Sequence, residues 1–280
     1  MATNIPLSRV LETSYTSKDV HIPDSFLTTP PSDARPITVN SIDFSASPLP
    51  EYKDYYAVVL DNVLSPSECA QLLSLAEQSV VEPHPANGDP WKPALVNIGP
   101  GREVLQQEYR NSDRIIWDNE EVMRRLLDRC FQADGIKERL SVIAGEKCRT
   151  ILGKHGVDSG ERWRIVKLNE RMRFLRYVKG QYFRAHCDGA FATSNQRTFY
   201  TVHLYLNGST QENDDKVQLI GGATTFWSAD SKRRLDVHPK VGRVLIFQHR
   251  GLYHSGDDVL QGVKYTMRTD IMYEQDDQKE

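Results

Sequence analysis

Eight short runs in the second half of the chain decide the fold: RMRFLRYV (171–178), QYFRAHCD (181–188), FYTVHLYLN (199–207), GATTFW (222–227), RLDVH (234–238), RVLIFQH (243–249), GLYHSG (251–256) and VKYTMRTDIMY (263–273). Each is rich in β-branched and aromatic residues, and turn formers separate them. Eight strands at this spacing predict a β-sandwich or jelly roll. Working outward, the run 55–60 inside DYYAVVLDNVL is also β-rich. A helix start follows it: Ser65 as N-cap, Pro66 in the first helical position and Glu68 closing a capping box. Behind them Cys69, Leu72, Leu73, Ala76 and Val80 recur at helical spacing, so one face is core. Asp118 with Glu121 predicts the start of a second helix carrying Val122, Met123, Leu126, Leu127 and Cys130. The fold class is therefore α+β, mainly β, with N-terminal helices buttressing one sheet of a jelly roll. Residues 1–50 are rich in Ser, Thr and Pro without sustained apolar period, and read as a loosely ordered arm with one short docking strand or turn. Residues 51–280 form the single domain, its jelly-roll core spanning about 162–273.

Composition narrows the function. The 280 residues are 39% hydrophobic and 9% aromatic, enough for a sizeable core. A net charge of -3 and a pI near 6.3 argue against a protein built to grip a polyanion. Between 162 and 184 eight basic residues face only Glu161 and Glu170. That run reads as solvated strand faces, so no nucleic-acid partner is expected. No stretch reaches the roughly 18 apolar residues a membrane span requires. The N-terminus shows no secretory signal, and four cysteines without a CxxC pair suggest reduced thiols. An intracellular setting, cytoplasmic or nuclear, is expected.

The chemistry gathers around HCDG. His186 and Asp188 stand two apart, and on a strand such residues share a face. An imidazole nitrogen with a carboxylate oxygen suits Fe(II), and two histidines with one carboxylate leave coordination positions open. His254 in YHSGDD is the best candidate for the second histidine. Taken alone, the pair also fits two residues that hydrogen-bond each other at a turn. Ten residues after His254 comes Lys264, which shares a strand face with Thr266, Arg268 and Asp270. A cation inside a barrel is costly unless an anion pairs with it. A ligand carboxylate near the metal would explain Lys264, and so would an ordinary solvated strand face. Arg268 faces inward with Lys264. It could meet a second anion, or form a structural salt bridge with Asp270 or Asp188.

The series RYVKGQYFRAHCDG, VHLYLN, GGATTF and HSGDDVLQGVKY, in that order, resembles the catalytic core of prolyl 4-hydroxylase-type Fe(II)/2-oxoglutarate dioxygenases. The resemblance extends upstream through VVLDNVLSPSECAQLL and YRNS at 109–112, and covers about residues 54–273. It implies a double-stranded β-helix, with His186, Asp188 and His254 matching the iron ligands. It implies that Lys264 pairs with the distal carboxylate of 2-oxoglutarate, that Tyr205 hydrogen-bonds the same carboxylate, and that Tyr177 lines the cosubstrate pocket. Gly221 and Gly222 match a pair where backbones approach closely. Arg110, in the Arg-x-Ser match, would lie near the cleft, so Arg110 and Arg268 are the candidate substrate-binding residues. The segment 82–112, rich in Pro and Gly and holding Trp91, is long enough to act as a substrate lid.

The implied activity is hydroxylation of an aliphatic C–H, prolyl 4-hydroxylase-like, with Fe(II), 2-oxoglutarate and O2, release of succinate and CO2, and ascorbate as a reductant. The partner would be a peptide or small-molecule substrate. The same site could instead tailor a free amino acid or other small acid. Alkylated-base demethylases typically carry arginine where Lys264 stands. A non-enzymatic jelly-roll binding module would not keep His186, Asp188, His254 and Lys264 together.

Overall fold

A computed structural model of the chain describes residues 10–83, 88–99, 101–208 and 219–276. All eight runs form strands, arranged in two facing antiparallel sheets. The larger sheet runs in the order Thr38–Ser41, Ala57–Asp61, Val244–Gln248, Gln196–Tyr205, Val263–Gln275, Arg171–Val178, Asp113–Asp118, Lys92–Pro93. The strand Arg162–Leu168, outside the eight quoted runs, pairs with the far half of Val263–Gln275. The smaller sheet is Arg234–Val237, Thr224–Trp227, His254–Gly256, Tyr182–His186, Arg110–Asn111. The jelly roll is the space between them.

Strand alternation partitions the core. Along Val244–Gln248, Val244 and Ile246 join Leu72, Val122, Leu126, Met267 and Ile271 in a core between the large sheet and the helices. Leu245 and Phe247 turn the other way, into the roll, to meet Phe44, Leu49, Tyr205 and Phe226. A small apolar group, Leu175, Tyr177, Leu219 and Val259, packs elsewhere in the roll. The last strand is buried on both faces: Met267 and Ile271 belong to the helix-side core, while Lys264, Thr266 and Asp270 are buried among the interior polar groups.

Helix α1, Pro66–Gln78, starts as its sequence predicts, since the Ser65 side chain accepts from the Glu68 amide and Glu68 returns a bond to the Ser65 amide. Helix α2, Glu120–Cys130, is capped by Asn119 and not Asp118. Asp118 stays in its strand, where it holds Arg171 at 2.6 Å. Helices α3, Ile136–Ser141, and α4, Arg149–Asp158, complete the buttress.

The arm departs from its expectation. Residues 1–9 lie outside the described residues, but from residue 10 onward the chain is laid on the body. Thr38–Ser41 is the short docking strand expected of the arm, and it pairs with Ala57–Asp61 at the edge of the large sheet. Phe26, Leu27, Phe44 and Leu49 are buried in the cores. Two arginines of α2 hold the chain that leads there. Arg125 donates to the Phe26 carbonyl at 2.7 Å, and Arg129 donates to the Leu27 carbonyl while pairing with buried Glu68 at 2.9 Å. Buried carbonyls need such donors.

The segment 82–112 is also more ordered than a lid loop; its residues 84–87 and 100 lie outside the described residues. Val96–Gly99, Arg102–Val104 and the arm's Val10–Glu12 form a three-stranded sheet, pinned where the Tyr15 hydroxyl meets Glu103 and Arg114. Trp91 is buried in the helix-side core, with its indole donating to Glu77.

Candidate active site

His186 and His254 sit directly opposite each other on neighbouring strands of the small sheet. Each Nδ1 donates to a backbone carbonyl two residues earlier, of Arg184 at 2.8 Å and of Leu252 at 3.0 Å. These bonds fix the tautomer and leave Nε2 of both rings free to coordinate. Asp188 lies between them, its oxygens 3.5 Å from His186 Nε2 and 3.7 Å from His254 Nε2. The three ligand atoms fall within 4.8 Å of one another. Burial pushes the His254 imidazole down to about 4, so the ring is neutral, the form that binds metal. Burial opposes charge on Asp188, yet Arg268 and the two histidines hold its carboxyl well below the usual range. Two imidazoles and one carboxylate are a donor set suited to Fe(II). The site fits the metal.

Asp188 is itself held. Thr201 donates to Oδ2 at 2.5 Å, and Arg268 Nη2 stands 3.1 Å from Oδ1. The same Nη2 lies 3.1 Å from Asp270, which Arg173 reaches at 3.2 Å. Arg268 therefore makes both salt bridges that its position allowed, and its guanidinium is engaged before any substrate arrives. Its Nε remains buried without a partner among the described residues.

Lys264 is 2% exposed and forms no ion pair among the described residues. Its Nζ stands 5.2 Å from the Tyr177 ring centroid and 5.7 Å from that of Tyr205. Burial pushes the ammonium down to about 8, and Asp257 only partly opposes this. Thr266 Oγ1 and His203 Nε2, on the same interior face, are also buried without partners among the described residues. A buried cation with orphaned polar atoms beside it is a cavity prepared for an anion. Its wall depends on glycine: a Cβ on Gly222, at φ +70, would come within 3.0 Å of the Lys264 side chain. The Tyr205 hydroxyl lies in the same chamber, where it donates to Thr224 at 2.6 Å.

Arg110 pairs with Phe183 across the edge of the small sheet. Its guanidinium lies 4.7 Å from the Phe183 ring centroid, and that ring stacks on His186 at 3.8 Å. Burial pushes Arg110 down to about 10, and its Nε has no partner among the described residues. The structure thus brings every candidate residue to the interior or the edge of the roll. Sequence reasoning missed Thr201, Phe183 and Tyr109, whose ring lies 6.3 Å from that of His186. Thr201 was within reach, because it precedes His203 and Tyr205 on one strand face.

A jelly roll with this triad at its centre suits a non-haem iron oxygenase. Residues 172–269 match the family described as the 2OG-Fe(II) oxygenase superfamily. That segment spans the whole His186, Asp188 and His254 cluster and supports an oxygenase enzyme. Similar solved structures include a Pseudomonas putida prolyl-4-hydroxylase, 14% identical, covering 82% of this chain and 95% of that one with a TM-score of 0.47. A viral collagen prolyl hydroxylase from Paramecium Bursaria Chlorella virus-1 is 18% identical, covering 79% and 97%, with a TM-score of 0.43. A Trichoplax adhaerens prolyl hydroxylase in complex with a hypoxia inducible factor peptide is 15% identical, covering 77% and 82%, with a TM-score of 0.47. No curated protein matches the sequence.

Proposed function

We propose that the enzyme hydroxylates an aliphatic C–H of a prolyl residue in a peptide, in the manner of a prolyl 4-hydroxylase. The observation that carries the reading is the buried, uncompensated Lys264 in the same interior as the His186, Asp188 and His254 cluster. In this reading His186, Asp188 and His254 hold iron, and Lys264 orients 2-oxoglutarate through its distal carboxylate, with Tyr177 and Tyr205 walling the chamber. When bound, iron with 2-oxoglutarate and O2 supplies the oxidising chemistry, releasing succinate and CO2, and ascorbate serves as reductant. The chain's own share is placement: Thr201 and Arg268 fix Asp188, and the buried interior excludes water. What supports a peptide is the wall made by Tyr109 and Phe183 beside His186, with Arg110 laid on it as a donor for a backbone carbonyl. The cysteines Cys69, Cys130, Cys148 and Cys187 are all free, which fits an intracellular, reducing compartment.

The test is succinate release from full-length protein with Fe(II), ascorbate and 2-oxoglutarate against a panel of proline-rich peptides. Stimulated release with a peptide mass gain of one oxygen atom is expected. Turnover of a free acid alongside indifference to every peptide would overturn the peptide assignment.

A further inference from the structure

A second cavity of about 160 Å³ opens beside the metal cluster, lined by Ile151, Asp188, Arg197, Phe199, His249 and Arg250, among others. Asp188 gives it a wall shared with the reacting centre, and Lys264 does not line it. It is smaller than the roughly 300 Å³ of an ordinary ligand pocket, so it holds a fragment about the size of one amino acid.

The charge in this cavity is unbalanced. Its one lining carboxylate, Asp188, is already taken by Arg268 and Thr201. Arg197 and Arg250 form no ion pair among the described residues, although both stand on the lining. Arg250 is also seated deliberately. Its turn is fixed by the buried Gln248 amide, which donates to the carbonyls of Arg250 at 2.8 Å and of Thr150 at 3.2 Å. Its guanidinium lies against Gly153, where α4 kinks at φ +79, and a Cβ there would fall 2.7 Å from Arg250 Cζ. Phe199 carries Arg197, whose guanidinium lies 5.3 Å from the ring centroid. Both side chains are exposed, and guanidinium groups without a protein anion can take a carboxylate as partner.

We propose that this pocket reads a carboxylate on the substrate, with Arg250 and Arg197 as its countercharge, so that the enzyme selects an acidic substrate. The carboxylate belongs to a free amino acid or small acid, or to an acidic residue beside the oxidised one in a peptide. The inference rests on the oxygenase reading, because it is proximity to Asp188 that makes this a substrate pocket.

The test uses the full chain loaded with Zn(II) and saturating 2-oxoglutarate, so that the Lys264 chamber is filled. Calorimetry compares L-glutamate with L-glutamine for a side-chain carboxylate, L-proline with L-prolinamide for an α-carboxylate, and proline-centred hexapeptides carrying Glu with the same peptides carrying Gln. In at least one pair the acid should bind about ten-fold more tightly than the amide or better. Arg250→Gln should bring that ratio close to one, and Arg250→Lys should restore part of it. Melting and 2-oxoglutarate affinity report whether each variant is folded, and Arg197→Gln reads the same ratio if Arg250→Gln is not. A preference among the free acids alone assigns the small acid; one among peptides alone assigns the acidic residue. Acids binding no better than amides in every pair would overturn the proposal. If the same protein still binds iron and 2-oxoglutarate, the oxygenase reading survives that failure.

Discussion

Asp188→Asn should weaken Mn(II) or Co(II) binding by more than about a hundred-fold and reduce succinate formation to background. Even partners one step removed from a metal cost 10- to 100-fold when lost, and this residue is the only carboxylate in the cluster. Asparagine keeps the shape and can still accept from Thr201, so the fold should persist while the charge is gone. The change also strips Arg268 of one of its two carboxylates, leaving Asp270. Electron paramagnetic resonance of free Mn(II) in a titration gives the dissociation constant directly. Metal affinity equal to that of the unaltered protein would remove Asp188 from the ligand set.

Lys264→Ala should raise the 2-oxoglutarate dissociation constant by about 30- to 1,000-fold, corresponding to roughly 2 to 4 kcal/mol for a buried charge-assisted bond. Metal affinity should change little, because Lys264 is not in the cluster. The residue also predicts a pH dependence. The carboxylate pairs with the protonated amine, and burial pushes that amine down to about 8. Binding should therefore be level below pH 8 and weaken by about ten-fold per pH unit above it, as the proton is lost. Lys264→Arg, whose guanidinium stays charged, should flatten the profile. An unchanged affinity in Lys264→Ala would reassign the residue to structure.

What the sequence made legible was what repeats along it. The eight runs became strands because each carries alternation within its own span, as when Leu245 and Phe247 part from Val244 and Ile246. His186 and Asp188 were legible for the same reason. His254 became their neighbour only through strand register, which no local pattern carries. The arm was misread because its apolar residues are isolated: Phe26 and Leu27 dock through carbonyls that α2 arginines satisfy about a hundred positions away. The strands within 82–112 are two to four residues long, too short to show a period. In α4 the kink at Gly153 breaks the helical spacing of the apolar residues. The role of Arg268 was left between a ligand anion and two carboxylates, because Asp188 comes from a different part of the roll.

In the proposed function one interior chamber holds both iron and 2-oxoglutarate, the first on His186, Asp188 and His254 and the second on Lys264. Anaerobic addition of Fe(II) and then 2-oxoglutarate to the full-length protein tests it most directly. A visible metal-to-ligand charge-transfer band should appear, saturate with 2-oxoglutarate and be lost in His186→Ala and His254→Ala. Tight binding of Fe(II) with no band at any 2-oxoglutarate concentration would contradict it.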